Sequence, residues 1–197
     1  MLVFWKEKLA FLSQSKTASE AFEAALTPHA DIVITSPPQL KHATIQRYNR
    51  FLRPMFTVAG AEDIETMALI REPIDWLNSW YRYRLRPSLA SSANSTVGIS
   101  FDAFVEAYMQ RPRPAFAEVG SQAKFLTGGK GDMTIDHLFR YESMPDVITF
   151  LEDRLQMEIT LPQMNVSPVL NLTLDPEIET RVRAFLTKEY EIWNSLG

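Results

Sequence analysis

The sequence predicts an α/β fold of three layers, α/β/α, with helices on both faces of a mostly parallel central sheet. Two observations predict it. Four short apolar or β-branched runs, at 8–12, 31–35, 65–70 and 136–141, alternate with stretches whose apolar residues recur at helical spacing. Parallel strands need crossover connections, and intervening helices supply them. Each of the first three runs also empties into a polar loop, and in such sheets ligands sit beyond the carboxyl ends of the strands. The loops at 13–19, 36–42 and 71–73 are therefore expected on one edge. At 197 residues the chain suits a single domain, 1–197.

In chain order, the first run is a buried strand followed by a helix over 17–26, with Ala18, Ala21, Phe22 and Ala25 on one face. The second run ends on Ser36-Pro37-Pro38, where two prolines forbid ladder continuation. A helix over 43–52 follows, stopped near Arg53-Pro54. The third run ends on Arg71-Glu72-Pro73, and Pro73 suits the first turn of a helix that continues to Leu85. Residues 86–100 have loop composition and more than usual loop length. Helices are expected over 101–109 and 117–126, and a turn over 127–132. A fourth strand precedes a helix over 144–156 that turns Val147, Ile148, Leu151 and Leu155 inward. From Asp175-Pro176 one long helix is expected to about Leu196.

Composition excludes several function classes. Without cysteine there are no disulfides, thiolate metal sites or cysteine nucleophiles, and three scattered histidines disfavour a zinc site. A net charge of −4 argues against a broad nucleic-acid surface, so any anion site must be local. No apolar run approaches the ~20 residues needed to cross a bilayer, and the start lacks the basic n-region of a signal peptide. A cytoplasmic location is the expectation.

The first polar loop is the candidate anion seat. Ser15, Lys16, Thr17, Ala18, Ser19 and Glu20 join a strand to a helix, where free backbone N–H groups, a positive helix end and a lysine converge. Lys-Thr at a helix start also ends the nucleoside triphosphate P-loop, but the glycines that let that loop wrap a β-phosphate are missing. A solvated lysine in a turn is the plain alternative. Arg71, at the end of the third strand, and Ser79, eight residues later, make a second possible phosphate clamp. Taken alone, they also fit a strand-end salt bridge and a small residue at a packing contact.

Together these residues resemble the PAPS-dependent sulfotransferases, in particular their bacterial and carbohydrate-modifying members. Gln14-Ser15-Lys16-Thr17-Ala18-Ser19-Glu20 is similar to the family's P-loop-like 5′-phosphosulfate loop, with Ala18 where glycine is usual and Glu20 where a hydroxyl residue is common. Ile70-Arg71-Glu72-Pro73 with Ser79 and Tyr81 resembles its 3′-phosphate motif, and Phe139-Arg140-Tyr141-Glu142-Ser143-Met144 a late strand-helix segment.

The resemblance implies PAPS as co-substrate without a metal and a hydroxyl-bearing acceptor, such as a saccharide. It also implies Lys16 at the leaving phosphate, 5′-phosphate binding by residues 15–20, and 3′-phosphate binding by Arg71 and Ser79. His42, in the second exit loop, is the candidate general base, against a plain role as a helix-start histidine. His29, in a turn, and His137, in a strand, have weaker cases. Arg82 and Arg86 share a helical side with Ser79, and Trp76, Trp80, Tyr81 and Tyr83 divide between a possible acceptor wall and core packing. Asn165 and Ser167 resemble a late loop of the carbohydrate enzymes. An ATP-and-magnesium phosphotransferase and a non-catalytic binding module are the alternatives.

Overall fold

Residues 1–129, 131–163 and 172–196 are described by a computed structural model. They fall into two units, one built from residues 1–71 and 122–163, the other from 72–121 and 172–195.

The first unit carries the sheet. Its strands are β1 (Leu2–Phe4), β2 (Leu9–Phe11), β3 (Ile32–Val33), β4 (Glu65–Ile70) and β5 (His137–Arg140), in the spatial order β3-β1-β2-β4-β5. The sheet is open and mixed, which corrects the expected mostly parallel three-layer arrangement. β1 pairs antiparallel with both β2 and β3, while β2–β4 and β4–β5 are parallel. The cause is a strand that the alternation of apolar runs did not reveal. Met1 to Phe4 is apolar and fully buried, and only four residues separate it from β2. A connection that short permits an antiparallel hairpin and no crossover. Lys8 turns the corner at a φ of 55°, and the Trp5 amide is held by Asp31 Oδ2 at 2.6 Å.

Because β1 opposes both neighbours, β2 and β3 still run the same way, as do β4 and β5. Their carboxyl ends therefore leave the sheet on one edge, as the loop argument requires.

Alternate residues Leu2, Phe4, Leu9, Phe11, Met67 and Leu69 share one sheet face and form a core cluster with Phe22 and Leu26 of α1 (Ser19–Leu26) and Val147 and Leu151 of α8 (Met144–Leu155). Period-two spacing thus sets what α1 and α8 bury. Val3, Ala10, Thr66 and Ala68, on the opposite face, are buried too.

Between β3 and β4 the chain forms α2 (Pro38–Lys41), α3 (Ile45–Arg47), a π-helical turn Tyr48–Leu52 and α4 (Arg53–Val58). The helix was expected to stop at Arg53-Pro54; it passes through. In the widened turn the Arg53 amide reaches five residues back to the Tyr48 carbonyl, which lets Pro54 sit in the first turn of α4, where its missing N–H costs little. The short helix α7 (Gln122–Leu126) and a 3₁₀ turn, Thr27–His29, also belong to this unit.

The second unit is helical: α5 (Pro73–Arg84), α6 (Phe101–Met109), α9 (Pro176–Phe185) and α10 (Thr187–Asn194). Glu72 caps α5, accepting from the Asp75 amide at 2.7 Å. The final helix expected as one piece breaks at Leu186 into α9 and α10, with Val182 and Leu186 buried against Leu77, Phe104 and Tyr108. The 86–100 segment is tied down at Thr96, whose buried hydroxyl donates to the Tyr81 carbonyl at 3.0 Å. Among the described residues no helix is long and apolar enough to cross a membrane.

Candidate functional site

The loop leaving β2 is held from inside. The Leu12 amide continues the ladder to the Met67 carbonyl at 2.8 Å, after which Ser13 and Gln14 stay buried. Thr17 is buried as well, and its hydroxyl donates to the Gln14 carbonyl at 2.9 Å, closing a tight turn. Lys16 and Ala18 both take positive φ, 69° and 58°. The left-handed region costs an L-residue roughly 1–2 kcal/mol, and glycine reaches it freely. Ala18 thus adopts, at some strain, a conformation that suits glycine. Helix α1 starts directly after it, without a side-chain cap, and the Ala21 and Phe22 amides fold back on the Ala18 carbonyl. Exposed Glu20 lies in the first turn, where a negative charge is favoured by the helix end.

Two other exit loops meet this one. His42 follows α2, and its Nδ1 lies 2.6 Å from the Ser13 carbonyl. A carbonyl only accepts, so Nδ1 carries the proton and, in the neutral ring, Nε2 keeps its lone pair. Burial holds the His42 pKa below its ordinary 6.5, with nearby Lys41 adding to the shift against the opposing bond to Ser13. The ring is therefore a neutral base at pH 7. If it serves turnover, the acid limb of the pH–rate profile lies below pH ~6.5, and the rate falls as pH drops through that lowered pKa. A profile measured from pH 4.5 to 8 should lose this limb in His42→Gln.

Arg71, just past the end of β4, donates from Nη1 to the Lys16 carbonyl at 3.1 Å, and its guanidinium lies 4.4 Å over the Tyr141 ring. Tyr141 follows β5, its amide bonded to the Ile70 carbonyl at 2.7 Å. So the Arg71 motif and the Tyr141 segment, separated in sequence, meet at the ends of adjacent parallel strands.

One residue with no local sequence signal joins these parts. Gln122, 1% exposed, accepts at Oε1 from Gln14 Nε2 at 2.7 Å and from the Arg71 amide at 3.0 Å. Its Nε2 donates to the Arg71 carbonyl at 2.8 Å. A single side-chain amide thus fixes the loop leaving β2 against the strand end that carries the arginine. No local signal marks it, because its partners lie 108 and 51 residues away.

Other expected residues are placed differently. Ser79 is buried on α5 in the second unit, and its pairing with Arg71 stays an expectation of the sequence alone. Trp76 and Tyr81 are core residues of that unit, packed with Phe101 and Phe104. Trp80 meets Trp76 and Tyr83 edge-on at 6.1 and 5.7 Å, and Arg86 covers the Tyr83 ring at 4.7 Å. His137 pairs with Glu65 at 2.9 Å, where β4 and β5 begin, the end of these strands away from Arg71; His29 is exposed in a 3₁₀ turn. Asn165 and Ser167 lie outside the described residues. Among the described residues no cluster of three His, Asp or Glu could hold a metal ion.

Comparison of the chain with protein-family models, with curated proteins and with solved structures found no match.

Proposed function

We propose that this protein is a PAPS-dependent sulfotransferase that moves a sulfuryl group from PAPS to a hydroxyl, with a saccharide as acceptor. The observation that carries the reading is the meeting of two strand-exit loops on a third, the short segment leaving β2. His42 holds the Ser13 carbonyl and Arg71 holds the Lys16 carbonyl, at 2.6 and 3.1 Å. The acceptor class comes from the sequence resemblance.

In this reading the loop amides with Thr17 and Ser19 receive the 5′-phosphosulfate at the positive end of α1. The acceptor oxygen attacks sulfur in line, a new S–O bond forms as the S–O bond to the 5′-phosphate breaks, and the electron pair leaves on the phosphate oxygen. The Lys16 ammonium stabilises that charge, and His42 Nε2 takes the acceptor proton. The products are a sulfate ester and 3′-phosphoadenosine 5′-phosphate, with no covalent enzyme intermediate. Arg71 meets the 3′-phosphate with a planar fork of N–H donors.

Calorimetric titration with 3′-phosphoadenosine 5′-phosphate tests the Arg71 role. Arg71→Ala should lose ~1.5–3 kcal/mol, the scale of a hydrogen bond to a charged group, and Arg71→Lys should recover part of it. An unchanged dissociation constant in Arg71→Ala would remove the clamp from the account.

A further inference from the structure

The helical segment 45–58 buries Ile45, Tyr48 and Phe56 along one side. Its other side is not the polar surface expected of such a helix. Phe51, Met55 and Val58 are 60%, 52% and 90% exposed, and their i, i+4, i+7 spacing makes one continuous stripe. Single exposed apolar side chains need no explanation; a contiguous patch of a few hundred Å² is the size that on a monomer is often functional.

The amino-terminal end of the stripe is basic. Between Asp31 and Glu62 the chain has no acidic residue, while Arg47, Arg50 and Arg53 fall there, in a protein of net charge −4; Lys41, in the same interval, is neutralised by Glu23 at 2.7 Å. Arg47 and Arg50 are exposed at the stripe's amino-terminal end, and the Arg50 guanidinium lies 5.2 Å from the Phe51 ring centroid. Arg53 is bound to Asn49 Oδ1 at 2.9 Å and belongs to the helix itself.

We propose that this face docks on an anionic lipid bilayer surface. The helix lies in the interface, Phe51, Met55 and Val58 enter the acyl boundary, and Arg47 and Arg50 meet lipid phosphates. Apolar side chains bordered by arginines are the composition of interfacial helices, and exposed arginines beside an apolar stripe favour a negative membrane surface. Size favours lipid over protein. Three such side chains offer roughly 300 Å² of apolar surface, short of the ~1,000 Å² that a specific protein interface clears. Partition into an interface needs no shape match.

Flotation of the full chain with vesicles tests this. Phosphatidylcholine vesicles with phosphatidylglycerol should capture the protein at low salt at least ~10-fold better than pure phosphatidylcholine, and added salt should weaken the capture. The double variant Phe51→Ser/Met55→Ser should lower partition by ~10-fold or more, and Arg47→Gln/Arg50→Gln should flatten the salt dependence. Val58→Ser, at a 90% exposed position that cannot disturb packing, should lower partition as well. No capture by anionic vesicles at low salt, or capture unchanged in all these variants, overturns the proposal. It is equally overturned if vesicles fail to bind while light scattering shows self-association that Phe51→Ser/Met55→Ser removes, since the face would then join copies of this chain.

Discussion

Lys16→Met is expected to lower the rate of sulfuryl transfer by about 10²–10³-fold, the loss seen when one preorganised donor is taken from a developing oxyanion. The side chain is removed with little change to its support. Lys16 sits at a φ of 69°, and methionine, with the same Cβ, neither relieves nor adds strain there as glycine would. The Lys16 carbonyl is still held by Arg71 Nη1, so the loop keeps its path. On the proposed mechanism, what is lost is the cation at the phosphate oxygen that takes up charge as its bond to sulfur breaks. Because that charge is larger in the transition state than in bound PAPS, turnover should fall more than affinity for the nucleotide product. Lys16→Arg should recover part of the rate. Equal loss of affinity and turnover in Lys16→Met would make the lysine a simple binding group.

Gln122→Leu should destabilise the fold by about 2–4 kcal/mol, shifting thermal unfolding down by ~5–15 °C. The substitution nearly conserves volume, so the cost is polar. It leaves Gln14 Nε2, the Arg71 amide and the Arg71 carbonyl without their partner in a site where Gln122 is 1% exposed and Gln14 2% exposed. Each buried orphan costs ~1–3 kcal/mol, and relaxation keeps the sum below full additivity. Gln14 Oε1 already lacks a partner, so the loop has little reserve. A melting temperature unchanged in Gln122→Leu would mean that water replaces the amide, and that the loop is not fixed to the strand in this way.

What the sequence made legible is what local physics controls. β4 shows as a β-branched and apolar run closed by Arg71-Glu72-Pro73, and α5 starts with Pro73 in its first turn, as the fixed φ of proline favours. β5 and α8 were equally readable, since Val147 and Leu151 recur at helical spacing after a short apolar strand. β1 was hidden because Trp5-Lys6-Glu7-Lys8 contains none of the glycine or asparagine that mark a hairpin, and Lys8 adopts the left-handed turn conformation without them. That one hairpin turned an expected mostly parallel sheet into a mixed one. Pro54 was read as a stop because the widened turn that admits it has no sequence signature, and the break at Leu186 has neither glycine nor proline to announce it. In the site, Lys16, His42 and Arg71 were proposed from residue type at strand exits, and the structure brings His42 and Arg71 onto the loop of Lys16; Gln122 was not proposed. Its role exists only in contacts between distant segments.

The most direct test of the central claim is calorimetric titration of the protein with 3′-phosphoadenosine 5′-phosphate against ADP, which lacks the 3′-phosphate. Tighter binding of the 3′-phosphorylated nucleotide, with the difference abolished in Arg71→Ala, is the predicted result. Preference for ADP would point to a phosphotransferase, absence of binding to either would point to a non-catalytic module, and each would contradict the sulfotransferase account.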